Sequence, residues 1–275
     1  MSYSVDELFG FKKTDNGYAL ADYRQKNDPS VTELELPAAY KGLPVASISH
    51  GSFAYSKHIK RVKIPGSVRE VLFNAFYNIP TLEEVELSEG LELISNYAFA
   101  RTGLKSVKLP KSLKELYWGA FEDCAELERA EFGGAPKIQM HIFRGCPKLP
   151  PETVAIGLVR STDITTPVFP NDLFRMTDRS YTTSFDCFRP DVFELLAKNN
   201  CFQKCDLKHL FRRITDESKA GLFPIAEQHG MLESAALVDL LIEYSAENGK
   251  TEITAFLLDY KNRKFGFKGG GDLAI

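Results

Sequence analysis

A chain of 275 residues with 44% hydrophobic content can bury a sizeable core, and 34 basic against 37 acidic residues give no overall field that would draw in nucleic acid or an anionic membrane. Five cysteines at irregular spacing do not make a disulfide framework, and no run approaches the roughly 18 consecutive apolar residues of a membrane span. The opening "MSYSVDELFGFKK" lacks an apolar stretch of signal-peptide length, so the expected location is the reducing cytoplasm.

In chain order, the segment "GYALADYRQKNDPSVTELELPAAYKGLPVASI" leads into a pattern that returns every 22 or 23 residues. One column holds Phe53, Phe76, Phe99, Phe121 and Phe143; a second holds Ile48, Val71, Ile94, Leu116 and Ile138. A third holds Ile59, Leu82, Leu104, Leu127 and Leu149, and a fourth holds Leu36, Ile64, Leu87, Leu109 and Phe132. Four columns sharing one spacing mean stacked coils, each burying against its neighbours a face it cannot bury alone. Within a coil, "LKSVKLP" alternates with the period of a strand, Val107 and Leu109 inward, Ser106 and Lys108 outward, which predicts a parallel sheet along one face. Cys124 falls in the slot that holds Ser56, Ile79, Thr102 and Cys146 in other coils, and reads as a small buried side chain.

The segments "AFYNIPTLEEVEL", "AFARTGLKSVKLP" and "AFEDCAELERAEF" resemble the BspA-like (Treponema-type) leucine-rich repeats of bacteria. The resemblance covers about residues 18–149. It implies a leucine-rich-repeat solenoid, a parallel β-sheet on one face with about five coils, whose first segment is an N-terminal cap coil shielding the open end of the core. It also implies binding of proteins, since many such relatives are displayed at the cell surface and bind host or cell-surface proteins.

The outward residues alternate in sign from coil to coil: Glu33 and Glu35; Lys60, Arg61 and Lys63; Glu83, Glu84 and Glu86; Lys105, Ser106 and Lys108; Glu128, Arg129 and Glu131. Strands about 4.8 Å apart bring each basic row beside acidic ones. Two uses follow, lateral pairing that fixes coil order and a mixed-charge surface for a polar protein partner, with Arg61, Lys63, Glu84, Glu86 and Lys108 as candidate contacts. Such a face disfavours polyanions, because its cations are neutralised laterally. After the second apolar column the chain places Phe73, Tyr97, Tyr117, Trp118 and Met140, side chains enriched at interface cores. They form either an exposed strip that meets the partner or an intramolecular packing surface.

From "CPKLPPETVAIGLV" onward the pattern turns helical, with Pro150 and Pro151 suited to a first turn. Val192, Leu195 and Leu196, then Leu207, Leu210, Phe211 and Ile214, then Leu237, Leu240, Leu241 and Tyr244, then Ile253, Phe256, Leu257 and Tyr260 follow helical spacing and predict an all-α helical-hairpin domain. The stretch "YSAENGKTEITAFLLDYKN" resembles an ankyrin helix-turn-helix. The organisation read from the sequence is therefore a capped solenoid over 1–149, a helical domain over 150–265 and a flexible tail over 266–275 that holds Gly269 to Gly271.

No phosphate-binding loop, nucleophile elbow or H-E-x-x-H segment occurs. The one chemical constellation is "CFQKCDLKHLF", where Cys201, Cys205 and His209, with Cys187, would form a metal or catalytic site if one continuous helix carried the first three. Asn199 and Asn200 before it, and Asp206 as an N-cap within it, argue for a broken helix that scatters them. Lys261, Arg263, Lys264 and Lys268, interleaved with Phe265 and Phe267, read as a helix end complementing its dipole. The expectation is a non-enzymatic binding protein with no cofactor and a protein partner, while its oligomeric state is not encoded in any motif.

Overall fold

A computed structural model describes residues 3–139, 141–158, 188–198, 202 and 207–266. The chain divides into two compact units, Met1–Val168 and Phe169–Ile275. The first opens with α1 (Val5–Leu8), whose Ser4 and Glu7 close a capping box, satisfying backbone donors at the helix start. It continues through β1 (Phe9–Thr14), β2 (Gly17–Tyr23), β3 (Glu33–Glu35), β4 (Ala39–Tyr40), β5 (Leu43–Ile48), β6 (Arg61–Ile64), β7 (Glu70–Val71), β8 (Glu84–Leu87), β9 (Leu93–Ile94), β10 (Ser106–Leu109), β11 (Glu115–Leu116), β12 (Arg129–Phe132), β13 (Lys137–Ile138) and α2 (Pro151–Leu158). The second unit contributes α3 (Pro190–Lys198), α4 (Leu207–Asp216), α5 (Leu222–Gln228), α6 (Ala235–Glu247) and α7 (Thr251–Phe265). α2 starts at Pro151, as its sequence suggests, and falls in the first unit.

The coils stack in parallel register. On the predicted strand face β3 pairs with β6 and β6 with β8, Glu33 opposite Arg61 opposite Glu84, and β10 pairs with β12. The second apolar column makes a further parallel ladder that the strand-period reading did not anticipate, running β5, β7, β9, β11, β13. The antiparallel β1–β2 hairpin seals its first edge, β2 pairing with β5. Covering an edge in this way removes a template for unwanted strand pairing.

The phenylalanine column is the spine of the stack. Phe53, Phe76, Phe99, Phe121 and Phe143 are all buried, and their rings stack in succession at centroid distances of 4.6, 5.1, 5.4 and 5.9 Å. Tyr23 extends the column into the first coil, 5.2 Å from Phe53. Each Phe lies between two left-handed residues. Gly51, Asn74, Tyr97, Gly119 and His141 precede it by two positions with φ of 56–63°, and Tyr55, Asn78, Arg101, Asp123 and Gly145 follow it by two with φ of 56–73°. Between these kinks the Phe N–H donates to the next coil, Phe53 to the Ala75 carbonyl (2.8 Å), Phe76 to Ala98 (2.7 Å), Phe99 to Ala120 (2.8 Å) and Phe121 to Ile142 (2.9 Å). The slot that holds Cys124 serves the same backbone: Ser56 donates to Phe53 O, Thr102 and Cys124 to Phe99 O, and Cys146 to Phe121 O. Ile79 is the exception in that slot.

One strand ladder is interrupted. β8 and β10 are neighbours in the coil sequence but do not join one hydrogen-bonded sheet. Five residues separate Phe99 from Leu104, against six from Phe76 to Leu82 and six from Phe121 to Leu127. The shortened link draws Gly103 against the Pro80 carbonyl, where an added Cβ would come within 2.2 Å. Glu89 ties the two coils instead, its carboxylate accepting the N–H groups of Lys111 (3.0 Å) and Ser112 (3.1 Å). At the interruption Leu87 is half-buried rather than sealed, and so is Phe132 in the last coil.

In the second unit, α6 and α7 form a hairpin turned by Gly249, which has φ of 66°. Aromatic contacts join Phe211 to Phe223 (5.4 Å) and Phe223 to Phe256 (6.0 Å). α4 and α7 bury faces close to those expected, but α6 buries Val238, Leu241 and Ser245 in place of the Leu237, Leu240 and Tyr244 stripe. On that face Ser245 Oγ lies 2.8 Å from Thr254 Oγ1 on α7, while half-buried Tyr244 donates its hydroxyl to Asp216 (2.8 Å) and carries Arg212 over its ring (4.9 Å).

Candidate partner-binding site

Alternating strand geometry turns the charged residues of β3, β6, β8 and β10 out of the sheet while their neighbours point into the core. These outward side chains border a groove of about 700 Å³ that crosses the strands, and Arg61, Lys63, Glu84, Glu86 and Lys108 all line it. Five of the ten residues singled out from the sequence are therefore brought to one place.

Lateral pairing is present and uneven. Arg61 bonds Glu84 and reaches Glu33 at 3.6 Å, Lys63 bonds Glu35 at 3.0 Å, and Lys105 bonds Glu83 at 2.6 Å. The hydrogen bond to Glu35 raises the Lys63 pKa, and that to Lys105 lowers the Glu83 pKa. Exposed pairs of this kind add little to stability, so their main effect here is to fix where charge is displayed. Glu86 and Lys108 are exposed and make no ion pair or side-chain hydrogen bond among the described residues. Lys63 feels the Glu86 charge only as a secondary influence.

The aromatic residues lie along the chain just before the phenylalanine spine. Phe73 is 41% exposed and meets Tyr97 edge-on at 6.3 Å, with His50 on its other side at 6.2 Å. Half-buried Tyr97 sits over Gly119, where an added Cβ would lie 2.5 Å from the ring. Only glycine leaves that space, and its φ of 60° is costly for other residues. Trp118 is half-buried against His141 at 5.2 Å, and Tyr117 donates its hydroxyl to Glu115 at 2.6 Å. Met140 lies outside the described residues. His141 is buried, and burial pulls its pKa down to about 4. Beside this region Arg144 pairs with the buried Glu122.

Sequence reasoning missed a second aromatic row after the spine. Tyr55 is 61% exposed and meets Tyr77 edge-on at 5.7 Å, and the Arg101 guanidinium lies 5.7 Å from the Tyr77 centroid. The available signal was a tyrosine within two residues after the column phenylalanine in two successive coils, at Tyr55 and Tyr77.

In the second unit, α3 ends at Lys198 and α4 begins at Leu207 with His209 on it. Cys187, Cys201, Cys205 and Asp206 lie outside the described residues, and among those described no group of three His, Cys, Asp or Glu side chains is placed to hold a metal ion. Of the basic residues near the end, Lys261 pairs with Asp239 at 2.7 Å and Arg263 with Glu227 at 2.8 Å. Lys268, Phe267 and the three glycines lie outside the described residues. No described helix is long and apolar enough to cross a membrane.

The structure is similar to a leucine-rich repeat protein of T. pallidum, at 26% identity over 54% of this chain and 91% of that one, with a TM-score of 0.41. It is also similar to leucine-rich repeat proteins of Bacteroides ovatus (22% identity, 51% of this chain and 44% of that one, TM-score 0.37) and Bacteroides capillosus (27%, 46% and 95%, 0.40). No curated protein matches the chain. The family model for the BspA type leucine rich repeat region matches residues 20–150 in six copies, a span that takes in the Tyr23 coil as well as the five that carry phenylalanine. The match ends before α2, so the ankyrin resemblance of α6 and α7 remains one of residues alone. Residues 20–150, with their stacked coils and aromatic spine, are thus similar to the BspA type leucine rich repeat region.

Proposed function

We propose that the protein is a non-enzymatic interaction module that recognises a protein partner through the strand face of its solenoid. The observation that carries this reading is the groove, where a rigid hydrogen-bonded scaffold displays Arg61, Lys63, Glu84, Glu86 and Lys108 together. Repeat architectures offer extended faces in place of deep pockets, which suits macromolecular ligands. Charges of alternating sign select a partner of complementary pattern and repel others. Nucleic acid fits poorly on such a face, and the reading includes no membrane contact. A cytoplasmic setting accords with Cys124 and Cys146, whose buried thiols donate to main-chain carbonyls and need the reduced form to do so.

The test is affinity capture from the native host by the wild-type chain and by a variant carrying Arg61→Glu and Lys63→Glu. A protein recovered by the former and lost by the latter, with the variant still folded by circular dichroism, is the expected result. Equal recovery by both removes the strand face from consideration. A second reading, favoured by the exposure of Phe73, places the contact on the aromatic strip. Phe73→Ala and Trp118→Ala carried through the same capture separate the two faces.

A further inference from the structure

The groove is not uniform, and its irregular point is the interruption between β8 and β10. Three observations meet there. The strand ladder is not closed between these neighbours as it is between β6 and β8, although Lys105 N–H donates to the Glu83 carbonyl at 3.3 Å just before them. Val85 and Leu87 are half-buried, whereas Val62, Ile64, Val107 and Leu109, their counterparts on the neighbouring coils, are sealed from solvent. Glu86 and Lys108, one on each side of the interruption, close no ion pair among the described residues, Glu86 meeting only the field of Lys63 opposite it, whereas Arg61, Lys63 and Glu84 in the same groove all close one.

We propose that this step is a docking slot for an extended peptide segment of a protein partner, one that carries a basic residue and an acidic residue close to an apolar one. The basic side chain meets Glu86, the acidic side chain meets Lys108, and the apolar side chain covers Val85 and Leu87. The assignment rests on the strand face being the recognition surface. Charge complementarity fixes the occupant. Adjacent charges of opposite sign cancel toward a polyanion or an anionic lipid surface, but a segment bearing both signs satisfies each of them.

The experiment is selection of a phage-displayed library of random linear peptides on the folded full chain, run in parallel on wild type, Glu86→Gln and Lys108→Gln. Glutamine keeps the size of each exposed side chain and leaves no like charges opposed, so melting temperatures are expected to match wild type. Wild type should enrich peptides with a basic and an acidic residue flanking an apolar one. Glu86→Gln should lose the preference for the basic residue and Lys108→Gln that for the acidic one, each weakening a synthetic wild-type-selected peptide by about tenfold. Failure to enrich such peptides, or peptides that bind both glutamine variants as well as wild type, overturns the slot. If those peptides are nevertheless lost on Arg61→Glu, the strand face stands as the recognition surface and only the slot falls. Insensitivity to all three variants, together with unchanged capture by the Arg61→Glu and Lys63→Glu variant, removes both.

Discussion

Tyr23 occupies the column where later coils place phenylalanine, and its hydroxyl is buried with no hydrogen-bond partner among the described residues. Burial pushes its phenol up to about 12, so the group remains neutral through the physiological range. An unmet buried hydroxyl costs about 1–3 kcal/mol, and Tyr23→Phe removes it without changing the ring. The expected result is a gain of about 1 kcal/mol in denaturant unfolding, and a clear loss would show that the hydroxyl is satisfied in solution. His141 makes the opposite kind of contribution. Its pKa falls from 6.5 to about 4 on burial, so as pH drops the unfolded chain takes up the proton first. Stability is complete above pH 6.5 and declines as pH falls toward 4, by about 2 kcal/mol between pH 7 and 5 from this group alone. His141→Asn uses the residue that Asn74 supplies at the same left-handed position and should flatten that decline in urea melts at the two pH values.

Each coil is an element with its own logic: a Phe between two left-handed residues, an amide aimed at the next coil, and a small donor returning to a Phe carbonyl. Phe99 touches rings on both sides, at 5.1 and 5.4 Å, so Phe99→Ala opens a cavity and breaks two stacked contacts. A loss of about 3–5 kcal/mol in thermal or denaturant unfolding is expected, against a negligible change for an exposed charge such as Lys108. The columns made this fold legible, because an apolar residue that recurs at a fixed interval has one physical use. The left-handed pairs were not legible, since Gly, Asn, Tyr, Arg, Asp and His share those positions and only the backbone reveals what they have in common. The alternating charges marked a candidate face, and nothing in their pattern marked the interruption within it. Pairing at each coil depends on side-chain reach and on closure of the ladder, and neither is visible in a pattern of alternating charge. On α6, counting leucines misplaced the buried stripe: the buried face runs through Val238, Leu241 and Ser245, and the Ser245–Thr254 contact on it is invisible to an apolar count.

At the scale of the whole molecule, the chain joins a stack whose stability is built from nearest-neighbour contacts to a unit of packed helices. In such a stack the charged groove and the structural spine are separate properties: the rings are buried, and the displayed charges alternate with core residues on the strands. Recognition can therefore change by surface substitution with little effect on the core, and a destabilised coil disturbs its neighbours before distant ones. The chain's single tryptophan sits near one end of this series, against the His141 imidazole. Its emission is thus an optical label native to the final turns. If that terminus loosens ahead of the rest, fluorescence will change while ellipticity holds, and if the array melts as a unit the two signals will fall along one curve.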